Sequence, residues 1–227
     1  MILSNKNRKI DELLILASII LIFTLTFLVF EKVIPSTLQT ITGKVITTVN
    51  ITQAPPANCG MMLNEDLNLV SFFCIPTMIP TATVVGSLSN LEAIFEYQEN
   101  GVDPWKIYNP HLPSFVIQDL NEMSRTKGYW VRMRSNESFF LEGKLRLPSY
   151  VYLVPGWNLV GYPTNEIKTI NESFASIYGK YTEVRAYNSV IGSFISYVPG
   201  IGGALNQTEA GRGYWINVTR EEVWVVE

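Results

Sequence analysis

The sequence predicts an α+β fold, mainly β, with one N-terminal transmembrane helix followed by two repeated small β-rich modules, each with one short helix. Three observations support this prediction. An uncharged apolar run lies near the N-terminus, similar sequence blocks recur about 90 residues apart, and the later apolar stretches are short and interrupted by Pro, Gly and Asn. Short apolar stretches between turn residues are typical of strands.

The apolar run predicts a membrane span at residues 13–34. Its first 18 residues carry no charge, which is long enough for a helix to cross the hydrocarbon core of a bilayer. Lys6, Arg8 and Lys9 precede it, so the positive-inside rule places residues 1–12 in the cytoplasm and the rest of the chain outside. A cleaved signal peptide is the alternative, but its apolar region is usually shorter. The expected location is therefore the cell membrane, as a single-pass protein.

Residues 35–58 are rich in threonine and predict a stalk between the span and the first module. Five N-x-Ser/Thr sequons follow the predicted span, which is consistent with an exported glycoprotein. The candidate glycosylation sites are Asn50, Asn136, Asn171, Asn206 and Asn217.

The two cysteines of the chain, Cys59 and Cys74, both lie on the predicted outer side. A disulfide between them is the economical interpretation in an oxidising compartment. Two buried free thiols are the alternative. A zinc site is less consistent with the sequence, because it needs further ligands and the chain has one histidine.

Two blocks of sequence recur in the same order. Residues 66–72 (DLNLVSF) align with residues 156–162 (GWNLVGY), and residues 128–133 (GYWVRM) align with residues 213–218 (GYWINV). Further matches of Tyr and Pro lie between these blocks at nearly the same spacing. Self-similarity of this kind indicates two copies of one structural unit.

The predicted modules span residues 59–147 and 148–227. In the second module, apolar residues at helical spacing predict a short helix over residues 167–178, between strands before and after it. The same pattern of strands is expected in the first module.

The blocks GWNLVGYP at residues 156–163 and GRGYWI at residues 211–216 resemble a tandem GWNL...GYW-type repeat module of archaeal and bacterial exported or cell-surface proteins. The first copy departs from the pattern, with Asp66 and Leu67 in place of Gly and Trp. The proteins that carry this module are mostly uncharacterised. The resemblance implies a location and an architecture, but no reaction.

No combination of residues in the sequence indicates catalysis, a metal site or a cofactor. His111 lies in a loop-like stretch, NPHLP, and is interpreted as a surface residue. The glycine-rich residues 200–203 lack the Lys and Ser/Thr of a phosphate-binding loop and predict a turn. The net charge of -3 without a basic patch argues against nucleic acid as a partner.

Tryptophan is the one residue type that suggests binding. Trp130 and Trp215 occupy the same position of the repeated strand, which predicts that both pack in a core. Trp105 follows a turn sequence, GVDP, and is the candidate exposed aromatic for binding a sugar or a protein.

The sequence thus predicts a non-enzymatic, membrane-anchored structural or adhesion protein of the cell envelope. Its expected partners are the lipid bilayer and other envelope proteins, glycans or copies of itself. Two alternatives remain open: a pilin-like filament subunit whose N-terminal helix packs in a filament core, and an accessory binding module for a separate surface hydrolase.

Overall fold

The structure, a computed structural model, describes residues 54–113 and 115–227. The predicted cytoplasmic segment 1–12, the predicted transmembrane helix 13–34, most of the predicted stalk and the sequon at Asn50 lie outside the described residues. Within the described ranges, no helix has the length and apolar character that crossing a membrane requires.

The described chain begins with eight strands and one helix, which we call the first half. These are β1 (Pro56–Leu63), β2 (Asp66–Val70), β3 (Ile79–Pro80), α1 (Thr81–Val85), β4 (Leu91–Tyr97), β5 (Trp105–Tyr108), β6 (Glu122–Met123), β7 (Tyr129–Met133) and β8 (Glu137–Lys144).

Nine further strands and two helical turns make up the second half. These are β9 (Ser149–Leu153), β10 (Gly156–Gly161), β11 (Lys168–Thr169), α2 (Ile170–Ser173), a 3₁₀-helix (Ala175–Ile177), β12 (Tyr181–Asn188), β13 (Ser193–Val198), β14 (Gly202–Gly203), β15 (Gln207–Thr208), β16 (Gly213–Val218) and β17 (Glu222–Val226).

The predicted fold class, α+β, is wrong for the described part of the chain, and no helix there could serve as the predicted transmembrane helix. The described chain is mostly β-strand, and its two α-helices have only five and four residues. The helix predicted over residues 167–178 is short because Lys168 and Thr169 pair with β15 as a strand. A capping box between Thr169 and Glu172 then starts α2, which ends after Ser173.

Strand order is the same in the two halves. The first half pairs its strands in the order β2-β7-β4-β5, and the second half in the order β10-β16-β12-β13, with β14 added at the edge. Separate two-stranded ribbons, β1-β8 and β9-β17, flank these sheets. The pairings in these sheets and ribbons are antiparallel.

Each half has its own hydrophobic core, and equivalent aromatic residues organise both. In the first half, the ring centroid of Phe72 lies 5.9 Å from that of Tyr129 and 5.1 Å from that of Phe139. In the second half, Tyr162 lies 6.3 Å from Tyr214 and 6.0 Å from Trp224. The equivalent residues of the two halves are Phe72 and Tyr162, Tyr129 and Tyr214, and Phe139 and Trp224.

A buried asparagine fixes the start of the first strand in both sheets. Asn158 accepts a hydrogen bond from the backbone N–H of Val154 at 2.9 Å and donates to the carbonyls of Val154 and Gly156 at 2.7 and 3.0 Å. Asn68 makes the same bonds in the first half. The turn requires a positive φ, which Gly156 adopts at 95° and Asp66 at 69°. The first half therefore keeps the turn without glycine.

Cys59 and Cys74 form a disulfide, as predicted, with their Cα atoms 5.8 Å apart. The bond links β1 to the segment that follows β2, and both residues are buried in the first core. Closing a loop of 15 residues contributes about 3 kcal/mol in the chain-entropy account of disulfides.

Candidate functional site

The two halves contact each other through a two-fold pattern of equivalent bonds. The backbone N–H of Ser71 donates to the carbonyl of Gly211 at 2.9 Å, and the N–H of Gly161 donates to the carbonyl of Thr126 at 3.0 Å. Ser71 and Gly161 are equivalent by the sequence repeat, as are Thr126 and Gly211. Each half thus supplies the donor once and the acceptor once.

Apolar contacts between the halves follow the same pattern. Leu69 and Leu159 are buried, yet they face away from the two cores. A Cβ added to Gly128 would lie 2.9 Å from the Leu159 side chain, and one added to Gly213 would lie 3.2 Å from that of Leu69. Because Gly128 and Gly213 have no side chain, the sheet faces that point away from the two cores can lie in contact.

Beside this contact, a tryptophan of the second half packs on two aromatic residues of the first. The ring of Trp215, on β16, lies 5.0 Å from that of Tyr97 on β4 and 6.3 Å from that of Trp105 on β5. Tyr97 and Trp105 are themselves 5.2 Å apart. These separations are typical of edge-to-face aromatic contacts.

An equivalent group forms where a tryptophan of the first half packs on two aromatic residues of the second. Trp130, on β7, lies 4.9 Å from Tyr187 on β12 and 5.9 Å from Phe194 on β13. Each central-strand tryptophan therefore completes an aromatic group on the other half of the molecule.

Members of both groups line one open cleft, whose volume is about 430 Å³. We call it the aromatic cleft. Its lining residues are Tyr97, Trp105, Trp130, Trp157, Arg185, Phe194 and Trp215. Clefts of this size and apolar character are the usual form of ligand sites in proteins.

One end of the aromatic cleft is polar. The guanidinium of Arg185 lies 4.4 Å from the ring centroid of Trp157, and it donates two hydrogen bonds to Glu183 at 2.7 and 3.0 Å. These bonds with Glu183 raise the pKa of Arg185 above its ordinary value. Asn217 pairs with Trp157 on one side and with Glu183 on the other, so all three side chains share one face of the sheet.

Several indole N–H groups of the cleft have no acceptor among the described residues. Among the described residues, Trp224 donates its indole N–H to the carbonyl of Ser173, whereas Trp105, Trp130, Trp157 and Trp215 make no such bond. The cleft tryptophans thus add hydrogen-bond donors to its apolar lining.

Two of the tryptophans do not lie where the sequence predicts them. Trp130 and Trp215 were expected in a core, but both are half-buried and lie in the aromatic cleft. Their neighbours in the strand, Val131 and Ile216, face the cores instead. Trp105, the candidate binding aromatic, is 41% exposed and lies in the same cleft.

Sequence reasoning missed the polar end of the cleft. The signal available was the alternation of Glu183 and Arg185 with buried Val184 and Ala186, which places both charges on the outer face of a strand. The partner strand that brings Trp157 to them is set by the sheet order, and the residues alone do not specify it.

The described sequons differ in their surroundings. Asn136, Asn171 and Asn206 are exposed, whereas Asn217 is half-buried in a central strand beside the aromatic cleft. His111 lies away from the cleft, with Nε2 2.8 Å from the carbonyl oxygen of Leu91. Over the described ranges there is no group of three or more acidic, His or Cys side chains suited to a metal ion.

A second, polar cavity of about 460 Å³ lies in the first half and contains a buried carboxyl group, that of Glu96. Burial raises the pKa of Glu96 above its ordinary value, and the nearby Lys127 ammonium opposes this shift without cancelling it. The equivalent residue of the second half is Ala186, so this carboxyl group is specific to the first half.

Glu96→Gln is expected to change how stability depends on pH. A raised pKa in the folded state means that the free energy of unfolding falls as pH rises through about 4.3, the unfolded-state value for Glu. The variant lacks this decline, so its stability relative to the native chain should increase between about pH 4 and pH 7. Urea unfolding at both pH values measures this. Glu122→Gln, at an exposed position of the same cavity, is the control, and an equal difference at both pH values for Glu96→Gln would contradict the prediction.

Comparison of this chain with protein-family models, with curated proteins and with solved structures finds no match. The resemblance to a GWNL...GYW-type surface module therefore stays a prediction from the sequence.

Proposed function

We propose that this chain is a non-catalytic binding protein of the cell envelope, located outside the cytoplasm, that holds its partner in the aromatic cleft. The observation that carries this proposal is the cleft itself. Six aromatic side chains from both halves converge on one open depression, although each half already has a complete core of its own.

Exposed aromatic side chains support a binding role. Trp105 is 41% exposed and Phe194 is 47% exposed, and both lie at the cleft. Clustered exposed apolar residues cost solvation free energy and usually mark an interaction site. Tryptophan and tyrosine are also the residues that most often dominate binding energy at interfaces.

The aromatic cleft is formed before any partner binds. Trp130 and Trp215 are held between the halves by contacts of 4.9 and 5.0 Å to Tyr187 and Tyr97. Side chains that are already ordered lose little conformational entropy on binding, so more of the contact energy contributes to affinity.

The disulfide supports a location outside the cytoplasm. Bonds such as that between Cys59 and Cys74 persist in oxidising compartments and are rare where thiols are kept reduced. The exposed sequons at Asn136, Asn171 and Asn206 are accessible for glycosylation in such a compartment.

The chemistry of the cleft favours binding without catalysis. Catalysis of acyl or glycosyl transfer needs a nucleophile or a general acid and base within reach of the substrate. Among the lining residues of the cleft, the one ionised side chain is Arg185, and its hydrogen bonds hold the neighbouring Glu183 carboxylate.

Sedimentation with isolated cell envelopes of the source organism tests the proposal. The purified full chain is expected to sediment with the envelopes, and a Trp105→Ala, Phe194→Ala double variant should bind at least tenfold more weakly, because truncating central aromatic contacts costs about 2 kcal/mol or more. Tyr152→Ala is the matched control, since Tyr152 is 78% exposed and lies on β9, away from the cleft. A native chain that stays in the supernatant would refute the proposed function.

A further inference from the structure

The polar end of the aromatic cleft offers both donors and acceptors of hydrogen bonds next to a flat ring. Arg185 donates and the carboxylate of Glu183 accepts. The amide of the neighbouring Asn217 has one donor group and one acceptor group to add. All of these groups lie on the face that carries Trp157. A ligand that matches them must donate and accept within a few ångströms, which is what adjacent hydroxyl groups do.

Charge in the cleft is balanced. Arg185 is the charged member of the lining, and its two hydrogen bonds at 2.7 and 3.0 Å go to the carboxylate of Glu183. An anionic polymer would have to compete with Glu183 for the guanidinium, and a cationic ligand would meet Arg185. The balance therefore favours a ligand without net charge.

A proline-rich peptide is the principal competing ligand, because such peptides also bind to aromatic grooves. Proline has no backbone N–H, so a proline-rich segment presents mainly carbonyl acceptors. Such a segment would use the indole donors but leave the Glu183 carboxylate without a new partner. A sugar ring uses both kinds of group, and its C–H face can pack on an indole ring.

We infer that the ligand of the aromatic cleft is an uncharged glycan chain, with one sugar ring beside the stacked Trp157 and Arg185 pair and its hydroxyl groups on Arg185, Glu183 and Asn217. This inference rests on the proposed binding function and names the ligand class. The three remaining tryptophans and Phe194 continue the apolar floor for adjoining sugars.

The first half provides matched control positions for this subsite. By the sequence repeat, Leu67 replaces Trp157 and Arg132 replaces Asn217. Leucine is thus already compatible with the strand at this position, so Trp157→Leu removes the ring without introducing a residue foreign to the fold.

The test compares envelopes treated in two ways, using the full chain. Periodate oxidation, which opens sugar rings at vicinal diols, is expected to reduce sedimentation of the chain at least tenfold, and protease treatment of the envelopes to leave it unchanged. Trp157→Leu and Glu183→Gln should each weaken binding to untreated envelopes at least tenfold. Arg132→Gln, at an exposed position outside the cleft lining, should bind as the native chain does.

The outcomes separate the inference from the proposed function. Binding that survives periodate but is lost after protease treatment would identify a protein partner and overturn the glycan inference, while the binding function would stand. A soluble acidic polysaccharide that displaces the chain more effectively than a neutral one would also overturn it. Absence of binding to untreated envelopes would refute the proposed function itself.

Discussion

Trp224→Ala is expected to lower the free energy of unfolding by about 3 to 5 kcal/mol, the usual range for truncating a fully buried aromatic side chain. Trp224 is 0% exposed, stacks on Phe174 at 4.7 Å and donates its indole N–H to the carbonyl of Ser173 at 2.6 Å. Truncation leaves a cavity and an unsatisfied buried carbonyl. Urea unfolding followed by circular dichroism measures the change.

The neighbouring residue provides the control for this prediction. Val223 is 39% exposed in the same strand, and Val223→Ala should cost less than about 1 kcal/mol. Trp224→Phe should fall between the two, since it keeps most of the apolar area and loses the hydrogen bond. A Trp224→Ala variant as stable as Val223→Ala would show that Trp224 is not central to the second core.

Gly161→Ala is expected to destabilise the contact between the halves, by about 3 kcal/mol. A Cβ at this position would lie 2.5 Å from the carbonyl oxygen of Arg125 and 2.7 Å from that of Lys127, and neither backbone atom can move as freely as a side chain. Relieving the clash requires the halves to separate locally, which breaks the hydrogen bond from Gly161 to Thr126. Thermal unfolding of the full chain measures the loss.

Gly60→Ala is the matched control, because a Cβ there meets its nearest heavy atom only at 3.9 Å. That variant should differ from the native chain by less than about 1 kcal/mol. Amide hydrogen exchange adds a second readout, since Gly161→Ala should speed exchange at the contact between the halves before it affects the two cores. Equal stability of the two variants would contradict the close approach of the halves.

Sequence patterns predicted local features better than they predicted the fold class. The pairing of Cys59 with Cys74 followed from the count and placement of cysteines, and the structure confirms it. The α+β class failed because apolar periodicity over residues 167–178 suggested a longer helix. Periodicity alone does not show that Lys168 and Thr169 pair with Thr208 and Gln207 of a later strand, which shortens that helix.

The aromatic cleft was only partly visible in the sequence. The turn before Trp105 predicts exposure, whereas the shared position of Trp130 and Trp215 predicts a core, and the second prediction is wrong. Repetition shows that two residues occupy equivalent positions, but not which face of the sheet they lie on. Alternation with the buried Val131 and Ile216 carries that information. Each of the two tryptophans packs on aromatic residues of the other half, and this depends on tertiary packing that no local pattern encodes.

The two-fold contact between the halves has a consequence for how a chain-like ligand would be oriented. A homodimer with the same contact would present identical ends and would accept a polymer in either direction. Here both copies belong to one polypeptide, and their sequences differ. The second half carries Trp157 and Arg185, whereas the equivalent positions of the first half carry Leu67 and Phe95. A site built in this way can distinguish the beginning of a polymer from its end.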